Sequence, residues 1–146
     1  VLGLYVHDPD HGRRIDGTQI RMNMFLAIRS ILGEILDLDP EKILEQTYLI
    51  RELNAESIDL LEIGVAIQHR LDIPVHDDLL FLKNLRTLLL RAELSKCPPI
   101  GVLAREYPHL SQERLAQILI DLPQGPVLRV SDLVAYVCWT RKDQGD

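Results

Sequence analysis

The sequence predicts an all-α fold. Apolar residues recur at three- and four-residue spacing in one segment after another, the pattern of helices that each bury one face. Capping residues stand just before several of these segments. Breaker clusters divide them, at Asp72-Ile73-Pro74, Cys97-Pro98-Pro99 and Pro123-Gln124-Gly125-Pro126. With 146 residues, 47% of them apolar, the chain has the means to bury a core in one domain.

Residues 1–17 read as an irregular arm. His7-Asp8-Pro9-Asp10-His11-Gly12 is rich in turn formers and has no apolar period. Its two histidines and two aspartates are metal-ligand types, but an arm without fixed geometry is a poor ligand set, and no metal site is assigned. Residues 18–37 form the first helix, with Ile20, Met24, Ala27, Ile28, Ile31, Leu32 and Ile35 on its apolar face and Thr18 or Gly17 as its cap. Asp39-Pro40-Glu41-Lys42-Ile43 reads as a single helical turn with proline at an allowed early position. Leu49, Ile50 and Leu53 have no clear period and are expected to tuck under the helices.

Residues 57–71 form the second helix. Ile58, Leu61, Val65 and Ala66 lie near one stripe, which Ile63, Ile67 and Leu71 widen. Gly64 inside it costs roughly 1 kcal/mol against alanine and marks close approach by another group. Residues 79–93 read as a leucine-rich helix, 100–106 and 111–122 as two shorter ones, with Ser111 as cap and Glu113 in the first turn of the second. The last element, 130–141, has Ser131 as its cap and Leu133, Val134, Val137 and Cys138 on one side; such a Val-rich run is also locally compatible with a strand.

Composition narrows the function classes. No apolar run approaches the roughly 20 residues a membrane helix needs. The opening Val1-Leu2-Gly3-Leu4-Tyr5-Val6 is short for a signal peptide and lacks its basic flank, and a start on valine rather than methionine reads as a trimmed product. Cys97 and Cys138 have neither metal nor redox spacing, so reduced thiols and a cytoplasmic location are expected. The net charge is −6, and residues 37–62, with eight acids and two bases, account for all of it. Such an acidic band repels nucleic acid and attracts basic protein patches. The absence of a basic patch and an aromatic content of 5% also disfavour nucleic-acid binding.

The stretch with chemical content is Glu52-Leu53-Asn54-Ala55-Glu56-Ser57-Ile58-Asp59-Leu60-Leu61-Glu62-Ile63. It sets a serine where a loop becomes a helix, with acids on both sides. Free backbone N–H groups at a helix start favour an attached phosphate, and Asp59 and Glu62 project from the first turns toward a basic partner. On these residues alone two readings stand: Ser57 caps the helix while the acids answer its dipole, or Ser57 carries a phosphodiester.

This stretch resembles the signature of the acyl carrier protein family, in which a leucine precedes Gly-Ala-Asp-Ser-Leu-Asp and, two residues on, a glutamate and an apolar residue follow. Leu53, Ala55, Ser57, Asp59 and Glu62 match directly, and Ile58 and Ile63 match in kind. Residues 20–36 resemble the family's first helix, and Leu71-Asp72-Ile73 resembles the triplet that ends its second, so the resemblance covers residues 20–78. It implies a four-helix bundle, here with additional C-terminal helices. It implies that Ser57 receives 4′-phosphopantetheine from coenzyme A through a separate phosphopantetheinyl transferase, and that acyl groups ride on the arm as thioesters, as in fatty acid biosynthesis. It implies docking by Glu56, Asp59 and Glu62 to acyl-loading and condensing enzymes or acyltransferases. The chain is then a carrier and not an enzyme, expected to be a monomer.

Departures from the pattern carry information. Glu56 replaces the usual Asp, and Asn54 the usual Gly. Gln68-His69-Arg70 stands where carriers for bulk fatty acid synthesis have a run of Glu, which points to dedicated partners in a specialised lipid or secondary-metabolite pathway. The family's proline after the second helix is shifted, with His76 near its place. A plain carrier would end near residue 95. The longer tail resembles that of extended bacterial carriers, giving one domain over 18–146 with a core at 18–78, a helical insertion at 79–128 and a final helix at 130–141; the competing arrangement closes the bundle with 79–91 and appends the rest. A peptidyl or aminoacyl carrier, with identical attachment chemistry, and an unmodified protein-interaction module are the other readings. An enzyme reading finds no paired base: His69 is twelve residues along the same helix, roughly 18 Å from Ser57, and His76 and His109, open by spacing, have nothing that pairs them with it.

Overall fold

The computed structural model describes residues 17–144, which form seven α-helices and two 3-10 turns with no strand among them. The arm, with His7, Asp8, Asp10 and His11, lies outside the described residues. Helix α1 (Gly17–Leu36) buries Phe25, Ile28, Ile31, Leu32 and Gly33 at helical spacing. It ends because Asp37 turns left-handed, φ +57°, and the Leu38 N–H donates back to the Gly33 carbonyl at 2.9 Å. Gly33 is required there: a Cβ would lie 2.9 Å from both the Leu38 carbonyl oxygen and Pro40 Cγ. The single turn expected next is a 3-10 turn, Pro40–Lys42, capped by Asp39, whose side chain accepts from the Glu41 N–H at 3.0 Å.

Helix α2 (Ser57–Leu71) lies against α1 and buries Ile63, Gly64 and Ile67. This corrects one expectation. Ile58, Leu61 and Val65 do not face the core but remain 58%, 54% and 63% exposed. Helix α2 carries two apolar stripes on opposite sides, and the one beside the close-packing Gly64 is the one α1 and the following loop cover. Gly64 is indeed approached closely, with Asp77 Oδ1 3.2 Å and Phe81 Cε2 3.5 Å from where a Cβ would stand.

The leucine-rich helix expected over 79–93 is two elements, α3 (Asp77–Leu80) and α4 (Leu85–Leu94). Leu82 breaks it by adopting φ +54°, a conformation costly for a leucine, while Phe81 and Leu82 are both buried. Helices α5 (Pro99–Glu106) and α6 (Gln112–Asp121) follow, each packing on its predecessor, and a 3-10 turn, Leu122–Gln124, ends α6. Ser111 caps α6 as expected, accepting from the Arg114 N–H at 3.1 Å. The last element is a helix and no strand: α7 (Val130–Gln144) packs on α1 and α3. Its cap is not Ser131. That N–H donates to the Glu45 carbonyl at 2.9 Å, and it is Asp132 that turns back to accept from the Arg129 N–H at 2.9 Å.

One hydrophobic core runs through all of this, with Ile28, Ile63, Ile67, Leu80, Leu103, Leu115, Leu133 and Val137 in the same cluster. Leu49 is fully buried in it, with Ile50 and Leu53 packed against it. The loop from α1 to α2 is latched to the approach to α7: Leu49 N–H donates to the Leu128 carbonyl at 3.1 Å, and Val130 N–H to that of Thr47 at 2.9 Å. Beside this latch the Tyr48 ring takes the Arg51 guanidinium at 4.1 Å and that of Arg129 at 5.1 Å, and its hydroxyl donates to Asp121 at 2.6 Å. That hydrogen bond, with the Arg51 ion pair at 3.0 Å, holds the Asp121 carboxyl below the usual range.

Candidate functional site

The site begins three residues before α2. Asn54 has φ +58°, a left-handed conformation that asparagine tolerates better than most residues, and its N–H donates to the Ile50 carbonyl at 3.2 Å. Ala55 is buried and its N–H donates to the Leu49 carbonyl at 3.0 Å, which anchors the loop to the core. The chain then emerges at Glu56, the N-cap, in extended conformation, and Ser57 is the first helical residue.

The cap is made by the acids and not by the serine. Asp59 Oδ2 accepts from the Glu56 N–H at 2.8 Å, and the helix's first bond runs from the Leu60 N–H to the Glu56 carbonyl at 3.0 Å. Ser57 is thereby released from capping. Its side chain is exposed, and its hydroxyl makes no hydrogen bond among the described residues. The N–H groups of the first turn lack carbonyl partners, as at any helix start, and present donors beside that hydroxyl.

Glu56, Ser57 and Asp59 thus share the first turn, while Glu62 is exposed on the next. Glu56 is exposed; Asp59 is half-buried and partly committed to the cap. Further along, Gln68, His69 and Arg70 are exposed, and Arg70 pairs with Glu34 of α1. At the far end, Arg141 of α7 donates to the Leu71 carbonyl at 3.3 Å, and Tyr136 of α7 holds the loop after it, accepting from the His76 N–H at 3.1 Å. Helix α2 is therefore held at both ends while its outer face stays open.

Sequence reasoning missed the apolar part of that face. Ile58, Leu61 and Val65 line it beside the acids, and Leu61 and Val65 join Gln68 and Val75 around a shallow depression of about 120 Å³. Their period matches a helix as well as that of Ile63 and Ile67 does, so the sequence signal for them was present and only their burial was misread. No group of three or more metal-ligating side chains occurs among the described residues. Cys97 and Cys138 are free cysteines, the latter with its thiol pKa pushed up by burial.

Residues 27–90 match the family described as "Phosphopantetheine attachment site". The chain is 41% identical over 51 residues to the acyl carrier protein of Caulobacter vibrioides (strain NA1000 / CB15N), an overlap of 35% of this chain and 65% of the relative. The acyl carrier protein of Phenylobacterium zucineum (strain HLK1) gives the same figures. That of Buchnera aphidicola subsp. Schizaphis graminum (strain Sg) is 34% identical over 56 residues, 38% of this chain and 71% of the relative. The chain spans just under two thirds of the length of the first two. No solved structure gives a significant match. The matched region runs from α1 into α4, so α5, α6 and α7 lie outside it. The group such a domain carries is 4′-phosphopantetheine, held covalently, and the start of α2 suits it: an exposed, unbonded hydroxyl beside free N–H donors. Family match, relatives and the geometry of α2 agree, and the chain belongs to the acyl carrier protein family.

Proposed function

We propose that Ser57 is the attachment residue and that the chain holds acyl intermediates for a specialised lipid or secondary-metabolite pathway. The observation that carries this is the free, exposed hydroxyl of Ser57 at the first helical position, with the cap supplied by Glu56 and Asp59 instead. When bound, 4′-phosphopantetheine supplies a terminal thiol that holds an acyl group as a thioester. The chain's own residues do three things. Ser57 offers the oxygen to be esterified. The first turn of α2 offers N–H donors and a favourable dipole for a phosphodiester. Glu56, Asp59 and Glu62, with Ile58, Leu61 and Val65 beside them, offer an acidic face with an apolar centre for visiting enzymes.

Those partners are a phosphopantetheinyl transferase, which transfers the group from coenzyme A to Ser57, and the acyl-loading and condensing enzymes or acyltransferases that use the arm. The neutral-to-basic Gln68-His69-Arg70 end of α2 supports dedicated partners over general fatty-acid enzymes. We also propose one carrier domain in which the α1, α2, α3 and α7 bundle is the core and α4, α5 and α6 an insertion, supported by the packing of α7 on α1. A cytoplasmic monomer completes the reading.

Intact mass of the full chain, before and after incubation with coenzyme A and a broad-range phosphopantetheinyl transferase, tests the assignment. Wild type gains the mass of one phosphopantetheine and Ser57→Ala gains nothing. Equal gain by both variants moves the attachment elsewhere. No gain with several transferases, and no modified form in the protein's own host, turns the α2 face into an unmodified interaction surface.

A further inference from the structure

Helix α4 has an outer face with no partner among the described residues. Its inner side buries Leu85, Leu88 and Ala92. On the outer side Arg86, Leu90 and Leu94 follow one another at four-residue steps, with Arg91 alongside. Leu90 is 55% and Leu94 76% exposed, the latter among the most exposed large apolar side chains of the described residues. Lys83 and Lys96 flank the two ends of the helix. Arg86, Arg91 and Lys96 make no ion pair among the described residues, and Lys83 reaches Asp77 only at 3.9 Å. Glu93 is the single acid on the helix. In a chain of net charge −6, this is a local excess of positive charge around an apolar centre.

Beside the start of α4 lies a slot of about 200 Å³. Its walls include Phe81, Leu85, Leu122 and Pro126, and Lys83 and Arg86 line it too. The slot is apolar with cations among its lining, the complement of an amphiphile with an aliphatic tail and an anionic head.

We propose that the outer face of α4 docks on a lipid bilayer surface carrying anionic headgroups. Leu90 and Leu94 enter the interfacial layer while Arg86, Arg91, Lys83 and Lys96 meet phosphate groups, the arrangement of an interfacial amphipathic helix. The face is rimmed by cations and has a largely apolar slot beside its start, and this pairing of cations with apolar surface favours a lipid surface over an acidic protein helix. The inference does not depend on what Ser57 carries.

Flotation of the full chain with vesicles tests this. Binding is expected to equal mixtures of phosphatidylcholine and phosphatidylglycerol at low salt, to fall steeply at high salt, and to be absent on phosphatidylcholine alone. Leu90→Glu with Leu94→Glu, and separately Arg86→Glu with Arg91→Glu, each lower the bound fraction about tenfold or more. Circular dichroism shows both folded, because all four side chains are exposed. Ser57→Ala binds as wild type does. No binding to the anionic vesicles, or equal binding by the α4 variants, overturns the proposal. So does self-association that the α4 variants abolish in the absence of vesicle binding, which would make the face a contact between copies of the chain.

Discussion

His109 shows how a single residue couples this fold to pH. Its ring stands edge-on to Tyr136, with centroids 5.4 Å apart, and neither ring nitrogen has a hydrogen-bond partner among the described residues. Burial pushes its pKa down to about 4, against a smaller upward pull from Asp132. The folded chain keeps the ring neutral, whereas the unfolded chain takes up a proton near the ordinary value of about 6.5. The unfolded state therefore binds more protons between those values, and stability falls as pH falls through that window. Urea titrations from pH 7 to pH 4 should show wild type losing on the order of 2 kcal/mol more than His109→Phe, which keeps an aromatic ring but removes the titration. The residue scale is also where the sequence was most legible. Asp59 and Asn54 act through bonds to neighbours a few positions away, so their spacing alone carries the local geometry around Ser57. Which acid makes the cap was not legible, because Ser57, Glu56 and Asp59 are all competent and backbone geometry decides between them.

At the level of elements, α1, α5 and α6 stand where their apolar periods put them, α6 with the cap its sequence names. The failures have one cause. Ile58, Leu61 and Val65 have a helical period but no partner, and residues 79–93 have enough leucine for one helix but are split so that Phe81 and Leu82 reach the core. Both outcomes depend on what packs alongside, which a single segment does not encode. The same holds for the contact between α6 and α7. Arg114 is buried and gives two hydrogen bonds to Asp132, at 2.8 and 2.9 Å, and one to the Val127 carbonyl at 2.7 Å. Removing one partner strands the other charge out of water. Asp132→Ala should cost about 3–5 kcal/mol in urea denaturation, while Arg114→Met with Asp132→Leu should cost clearly less, since an apolar pair leaves no buried charge.

For the molecule as a whole, α7 packs on α1 although most of the chain separates them. Leu133, Val134 and Val137 are fully buried in the common core. A chain ending before Val130 exposes that part of the core and loses the partners of Thr47, Leu71 and His76. It should lack a cooperative thermal transition and bind a hydrophobic dye, which calorimetry and dye fluorescence would register. A chain that melted as sharply as wild type would show that the matched region stands alone. The all-helical class was legible from periods spread along the chain. How α7 seats against the first helix was not, because that relation spans segments that share no local pattern.

The backbone bonds between Leu49 and Leu128, and between Thr47 and Val130, join positions about eighty residues apart. These are long-range contacts, and loop closure of that length must precede the reward of the contact. During synthesis the latch on the loop that presents the start of α2 cannot close until residues 128–130 have left the ribosome. Under the proposed attachment at Ser57, modification is timed to the emergence of residues 128–130: before that, the serine stands on a loop without its latch, a poor substrate for an enzyme that reads its fixed geometry.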